Sequence, residues 1–175
     1  MPTTRKQIAP SISRQSEVRL SVIAPKDIDR IWFLAEPCIA RAYLRVDQDV
    51  PLNLRDSLCD GKRELWLVTE DDVTILAVIV TSMVTMRSGL VLRIESLGGV
   101  SMQRWVHFMV SELEAYARSQ NCKKLAWEGR VGWKRLFPDY RVSSVVMEKR
   151  LDRDAVILQQ QPTDVDTKSK LDDSR

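Results

Sequence analysis

Three β-rich runs between residues 64 and 94 are separated only by short turns, and this constrains the fold more than any other feature of the sequence. The runs are residues 65–69, 74–84 and 90–94, each rich in β-branched and large apolar side chains. The pair Asp71 and Asp72 and the segment Arg87-Ser88-Gly89 lie between the runs and have the composition of turns. Turns this short join antiparallel neighbours, so the pattern predicts an antiparallel meander.

The hydrophobic period changes after the third run. The pair Gly98 and Gly99 is expected to end that run, and residues 103–120 then carry apolar side chains at helical spacing. These apolar positions are Trp105, Phe108, Met109, Leu113, Tyr116 and Ala117. The sequence therefore predicts a strand, a glycine turn, and a long amphipathic helix that follows the turn directly.

Elements on either side of this block complete the predicted order. Alternating apolar residues predict a strand over 18–23, and a helix is expected from Pro25, kinked or divided at Pro37. The remaining predicted elements are a short helix at 51–60, a strand at 124–128, a helical turn at 133–137 and a strand at 142–151. The order predicts an α+β fold with a mostly antiparallel sheet.

Length and composition set the limits of the folded part. A chain of 175 residues with 44% apolar and 29% charged residues suits one domain, predicted here at residues 17–151. Residues 1–16 hold three basic residues and no acid, and are expected to form a flexible basic arm. Residues 152–175 hold six aspartates and are expected to form a polar, disordered tail.

Composition also disfavours several classes of protein. The longest unbroken apolar stretch, residues 75–80, is far shorter than the roughly 20 residues that span a bilayer, so no membrane span is expected. One histidine, His107, and three cysteines without a C-x-x-C spacing disfavour a metal site and a disulfide framework, and a reducing cytosol fits best. A net charge of +3 does not indicate nucleic-acid binding.

The predicted turn at Gly98-Gly99-Val100-Ser101 is the strongest sign of a binding site. A helix that starts after it leaves its first amides, roughly those of residues 101–104, without partners inside the helix. Such a terminus attracts phosphate, and Arg104 could add a side-chain contact. The alternative is that the two glycines only turn the chain and allow close packing. No P-loop or dinucleotide-binding glycine motif occurs elsewhere in the sequence.

Three segments resemble the GNAT superfamily of acyl-CoA-dependent N-acyltransferases, and in particular the divergent GNAT-like proteins of tailed bacteriophages. They are Glu64-Leu65-Trp66-Leu67-Val68, Ile94-Glu95-Ser96-Leu97-Gly98-Gly99 and Glu128-Gly129-Arg130-Val131-Gly132-Trp133-Lys134-Arg135-Leu136. The resemblance covers about residues 18–151. It implies a GNAT-like mixed, mostly antiparallel twisted sheet flanked by helices. Some short-tailed phages carry relatives of this kind as small internal virion proteins.

The resemblance also implies a site for acetyl-CoA as co-substrate, without a metal. In the family, the strand before the glycine turn binds the pantetheine arm and the turn holds the pyrophosphate. In this chain the arm would lie along Ile94 and Ser96. The pyrophosphate would be held by Gly98, Gly99, Val100, Ser101 and Arg104. Ser101 stands where the family turn has its second glycine, and Tyr140 is a candidate for the acid that protonates the departing thiolate.

An N-acyltransferase must deprotonate an ammonium group, and a carboxylate acting through water can do so. Glu95 and Glu128 are the candidate bases. Each has an alternative interpretation as a solvated acid at a strand end, or as the partner of Arg93 or Arg130 in an ion pair.

The sequence therefore leaves two alternative functions. The first is a phage-encoded GNAT-like N-acyltransferase that moves an acetyl group from acetyl-CoA to an amine or protein acceptor. The second is a catalytically degenerate structural or interaction protein of the same fold, such as a phage virion component that binds other phage proteins. The first would work in the host cytoplasm and the second in the phage virion.

Overall fold

A computed structural model describes residues 17–46, 48–129 and 132–143 of the chain. The chain divides after residue 130 into two compact units, and α4 is the described helix of the second unit. The elements are β1 Val18–Ile23, α1 Ile28–Leu44, α2 Leu54–Cys59, β2 Glu64–Glu70, β3 Thr74–Met86, β4 Gly89–Gly99, α3 Val106–Ser119, β5 Lys124–Trp127 and α4 Trp133–Leu136. Short 3₁₀ turns, Pro25–Asp27 and Met102–Arg104, precede α1 and α3.

The sheet has the strand order β1-β2-β3-β4-β5. Neighbours from β1 to β4 are antiparallel, whereas β5 pairs with β4 in parallel after the crossover through α3. The predicted meander and the α+β class are confirmed. Asp71 and Asp72 both have positive φ, at 53° and 59°, in the turn between β2 and β3. Aspartate tolerates this conformation, which is why two adjacent acids suit so tight a turn.

Helix α1 and helix α2 cover one face of the sheet. Ile28, Ala35, Ile39 and Tyr43 of α1 are buried there against residues of α2, β2 and β3. The expected division at Pro37 is wrong, because α1 runs unbroken from Ile28 to Leu44. Pro37 is exposed and lies on the side of α1 that faces away from the core, and the carbonyl group of Phe33 has no N–H partner at Pro37.

The predicted boundaries around the glycine pair also need correction. Strand β4 does not stop before Gly98 but continues through Gly99, because both glycines pair with Val78 and Ala77 of β3. The helix predicted at 103–120 begins at Val106, after the 3₁₀ turn. The helix predicted at 51–60 is limited to Leu54–Cys59. The proposed arm, the tail and all but residues 142–143 of the last predicted strand lie outside the described residues.

A polar network links α3 to the face of the sheet that α1 and α2 do not cover. Tyr116 donates a hydrogen bond to Oε1 of Glu64, and the Thr81 hydroxyl donates to Oε2 of Glu64 at 3.0 Å. The indole Nε1 of Trp66 donates to Oγ1 of Thr81 at 2.9 Å, and the Trp66 and Tyr116 rings form an edge-to-face pair with centroids 4.8 Å apart. The network supplies hydrogen bonds to the partly buried carboxylate of Glu64.

Tyr116→Phe is expected to lower the free energy of unfolding by about 1–2 kcal/mol at neutral pH, because Glu64 loses a donor. Burial, followed by the bond to Glu64 and its charge, raises the pKa of Tyr116. The raised pKa stabilises the fold fully below the unfolded pKa of about 10, and this contribution is lost as the pH rises through the folded pKa. Urea unfolding of both proteins should therefore show a difference that shrinks above about pH 10. A difference that does not change with pH would contradict this assignment.

Candidate functional site

Strands β4 and β5 part at one point along the sheet. Their parallel register ends with Ile94 opposite Trp127, where β5 also ends. On its other edge β4 stays paired with β3 up to Gly99. Within the described ranges no strand pairs with the β5 side of β4 beyond Ile94. Five residues of β4, from 95 to 99, therefore present an open backbone edge that can hydrogen-bond an extended ligand.

A β-bulge lies at the point where the strands part. Ser96 pairs with Val80 and Ile94 pairs with Thr81, so Glu95 is the extra residue of β4. A bulge of this kind turns a side chain out of the regular alternation and is common beside active sites. Ile94 shares the α3 face with Thr81, whereas Glu95 faces the side of the sheet that carries α1 and α2.

Glu95 is the centre of a partly buried polar cluster. The Arg63 Nε atom lies 2.6 Å from Oε2 of Glu95, and Arg63 Nη1 donates to Ser57 Oγ at 2.8 Å. Glu95 is thus in an ion pair, as the alternative interpretation expected, but with Arg63 rather than with Arg93 or Arg130. Burial first, and then the charge of Glu95, raises the pKa of the nearby Tyr43 phenol, while Arg63 opposes that rise.

Ser96 contributes an unsatisfied hydroxyl next to this cluster. Its side chain is only 6% exposed, and its Oγ has no hydrogen-bond partner among the described residues. Burying a hydroxyl without a partner costs free energy, so such a group calls for an explanation. A ligand that lies along the open edge of β4 would be close to this hydroxyl.

Both glycines at the end of β4 are required by packing. A Cβ atom on Gly98 would lie 2.2 Å from the carbonyl oxygen of Cys38 in α1. A Cβ atom on Gly99 would lie 2.6 Å from the carbonyl oxygen of Leu76 and 2.7 Å from Cβ of Ala77. The close-packing interpretation therefore explains why glycine occupies both positions. Their identity is no evidence for an anion.

The turn after β4 has a fixed backbone, and three of its amides donate no hydrogen bond within the described residues. Val100 donates its N–H to the Leu76 carbonyl at 2.9 Å, and the Trp105 indole donates to the Val100 carbonyl at 2.7 Å. Ser101 is left-handed, with φ 51° and ψ 45°. The amides of Ser101, Met102 and Gln103 donate to no acceptor in the described part of the chain, whereas the Arg104 amide donates to Ser101. Consecutive amides of this kind can bind an anion.

Comparison with solved structures identifies the fold. An aminoglycoside acetyltransferase from an uncultured soil metagenomic sample, in complex with sisomicin, superposes with a TM-score of 0.58, at 9% identity over 77% of this chain and 97% of that one. The fold is that of the GNAT acetyltransferases. A predicted acetyltransferase with acetyl-CoA from Clostridium acetobutylicum gives a TM-score of 0.52, at 12% identity over 78% of this chain and 96% of that one.

A GNAT family acetyltransferase from Staphylococcus aureus is similar over 77% of this chain and 98% of its own length, at 13% identity and a TM-score of 0.50. No protein-family model matches the chain, and no curated protein sequence matches it significantly. At these identities the likeness concerns the GNAT fold alone.

The remaining candidates lie outside the cluster at Glu95. Arg104 reaches Glu70 at the end of β2, where the two side chains form an ion pair. Glu128 is exposed and follows the last residue of β5. Tyr140 belongs to the second unit, where it forms an edge-to-face pair with Phe137, with ring centroids 5.7 Å apart. Of the predicted site residues, Ile94, Glu95 and Ser96 therefore occupy the opening of the GNAT-type sheet.

In residues 17–46, 48–129 and 132–143, no three His, Cys, Asp or Glu side chains are grouped closely enough to hold a metal ion. No helix in the same residues is long and apolar enough to cross a membrane.

Sequence reasoning missed three residues of the cluster around Glu95. Arg63 and Ser57 lie more than 30 positions before Glu95 in the chain, and Tyr43 lies in α1. Tyr43 fits the apolar period of its helix, and Arg63 lies in the loop between α2 and β2, so neither carries a local signal. Only the register of β4 in the GNAT fold brings them together.

Proposed function

We propose that this protein is an N-acetyltransferase that uses acetyl-CoA and an amine acceptor. The single observation that carries the proposal is the parting of β4 and β5 at Ile94, with the bulged Glu95 beside the opening. The GNAT fold adds support, since a solved neighbour of this fold contains acetyl-CoA.

The residues around the opening suit acetyl-CoA. The unpaired edge of β4 from residue 95 to 99 offers backbone groups to the amide-rich pantetheine arm. The amides of Ser101, Met102 and Gln103 suit the pyrophosphate. Gly98 and Gly99 end the open edge, and Val100, whose amide is already bonded to the Leu76 carbonyl, links it to these turn amides. We assign Arg104 a weaker role, because Glu70 already compensates its charge.

Within this proposal, acetyl-CoA supplies an activated acetyl group. Glu95 takes a proton from the acceptor ammonium through water, so that the neutral amine can attack. The Arg63 guanidinium holds the Glu95 carboxylate in place, and Ser57 in turn orients Arg63. The resemblance predicts Tyr140 as the acid for the departing thiolate, which stays a prediction, and Glu128 is the alternative base.

A second function is favoured by one feature of the same cluster. The charge of Glu95 is already compensated by Arg63, as expected for a carboxylate that has become structural. We therefore also propose, as the alternative, a catalytically inactive protein of this fold that serves in a phage virion and binds other phage proteins. The active protein would instead work in the host cytoplasm. Presence at a fixed copy number in purified particles would support the alternative, and presence only in the lysate would contradict it.

A negative charge introduced at position 101 tests the binding of acetyl-CoA. Ser101→Asp is expected to weaken the affinity for acetyl-CoA at least about tenfold relative to Ser101→Asn, because the carboxylate lies against the diphosphate. Aspartate and asparagine both tolerate the left-handed backbone and have the same shape, so the pair isolates the charge. Isothermal titration calorimetry with acetyl-CoA measures the difference, which should shrink at high salt.

Equal affinities of the two Ser101 variants would show that the turn does not contact the diphosphate of acetyl-CoA. No binding of acetyl-CoA by the unaltered protein would remove the enzymatic proposal and favour the alternative.

A further inference from the structure

Helix α1 carries a second apolar stripe that the domain core does not use. Phe33 is 68% exposed and Leu44 is 76% exposed, and both lie opposite the buried residues of α1. Pro37, which is exposed, and Ala40, which is half-buried, lie between them on the same side of the helix. The stripe runs for about 16 Å along the axis. Apolar surface in a row of this kind, with a large exposed side chain at each end, is typical of an interaction site.

The spacing of the stripe is that of one coiled-coil seam. Intervals of four, three and four residues, the alternation of d and a positions in a heptad, separate Phe33, Pro37, Ala40 and Leu44. The methyl group of Ala40 is small, so a second helix can approach closely at the middle of the seam. Glu36 then occupies a g position and Arg41 the following e position, one on each side of the seam. Both charged side chains are exposed.

The charges on the two sides of the seam select the partner and its direction. In a parallel pair of identical helices related by a twofold axis, the g side of one copy faces the e side of the other. Glu36 of one copy then meets Arg41 of the second copy, and the reverse contact forms by symmetry. In an antiparallel pair, sides of the same kind would meet, with Glu36 facing Glu36. Like charges would then repel.

We infer that α1 is the contact surface for a second copy of this chain, in a parallel homodimer. The core-facing residues of α1 lie on the other side of the helix, so the sheet that α1 covers does not lie between the two helices of the pair. A contact limited to this stripe is smaller than the roughly 800 Å² per partner of a standard interface, so the dimer dissociates on dilution. The dimer would form whether or not the protein transfers acetyl groups.

The test is the oligomeric state of the full chain, measured by sedimentation equilibrium over a wide range of protein concentration. The unaltered protein is expected to dimerise as the concentration rises. Phe33→Asp is expected to abolish the dimer, because it places a charge on the seam, and Leu44→Asp should act in the same way. Val73→Asp is the matched control, since Val73 is 84% exposed in the β2–β3 turn and should leave dimerisation unchanged.

A charge exchange tests the direction of the helices. Arg41→Glu alone should weaken the dimer about tenfold, because Glu36 then faces an acid in both contacts. Adding Glu36→Arg to the same chain should restore the affinity of the unaltered protein. A protein that stays monomeric at every concentration, or a dimer that Phe33→Asp leaves intact, would overturn the inference. Failure of the double exchange to restore the dimer would overturn the parallel arrangement.

Discussion

Gly98→Ala is expected to lower the free energy of unfolding by about 3 kcal/mol, a large loss for a single methyl group. The added Cβ atom would lie 2.2 Å from the carbonyl oxygen of Cys38 and 3.0 Å from its carbonyl carbon. These are backbone atoms of α1, so no side-chain rotation can relieve the overlap. Either α1 moves away from β4, and the apolar contacts beneath it are lost, or the strand shifts in its pairing with β3.

Urea unfolding monitored by circular dichroism measures this effect, and the chain provides a matched control. Gly132 has nothing within 4 Å of its would-be Cβ atom, and its φ of −56° suits alanine. Gly132→Ala should therefore leave the stability unchanged or raise it slightly. Equal stability of Gly98→Ala and the unaltered protein would show that α1 does not lie against β4 as described.

Glu95→Gln is expected to lower kcat for acetyl transfer by a factor of about 100 to 1,000, if Glu95 is the base. Glutamine keeps the shape and can still accept a hydrogen bond from Arg63, but it cannot take up a proton. KM for acetyl-CoA should change little, because the proposed contacts of the coenzyme are made by backbone groups. The assay follows release of the CoA thiol, using an acceptor found by screening primary amines.

Two further variants make the Glu95 result interpretable. Glu112→Gln removes an exposed carboxylate from α3 and should leave kcat unchanged. Glu128→Gln separates the two candidate bases, since a large loss there with full activity in Glu95→Gln would assign the base to Glu128. Unfolding curves for each variant establish that a low kcat does not come from unfolded protein.

The meander was predictable because each of its signals is local. The acidic pair at Asp71 and Asp72 indicates a tight turn, and β-branched runs on either side indicate the strands that it joins. The end of β4 was mispredicted for the same reason. A glycine pair usually ends a strand, and only the neighbouring backbone of α1 and β3 explains why glycines continue one here.

The site was predictable only in part. The resemblance pointed to Ile94, Glu95 and Ser96, which lie where β4 and β5 part. The bulge at Glu95 is a property of the pairing between β3 and β4, and no single strand carries a signal for it. The Arg63–Glu95 ion pair depends on a contact between residues 32 positions apart, so local patterns could not indicate it.

We propose that the open edge of β4 and the turn after it bind acetyl-CoA. A titration of the isotope-labelled protein with acetyl-CoA, followed by amide nuclear magnetic resonance, tests this most directly. We expect saturable shifts of the amides of Ser101, Met102 and Gln103 together with those of β4 from residue 95 to 99. Amides that do not move at saturating acetyl-CoA, or shifts confined to another part of the protein, would contradict the account.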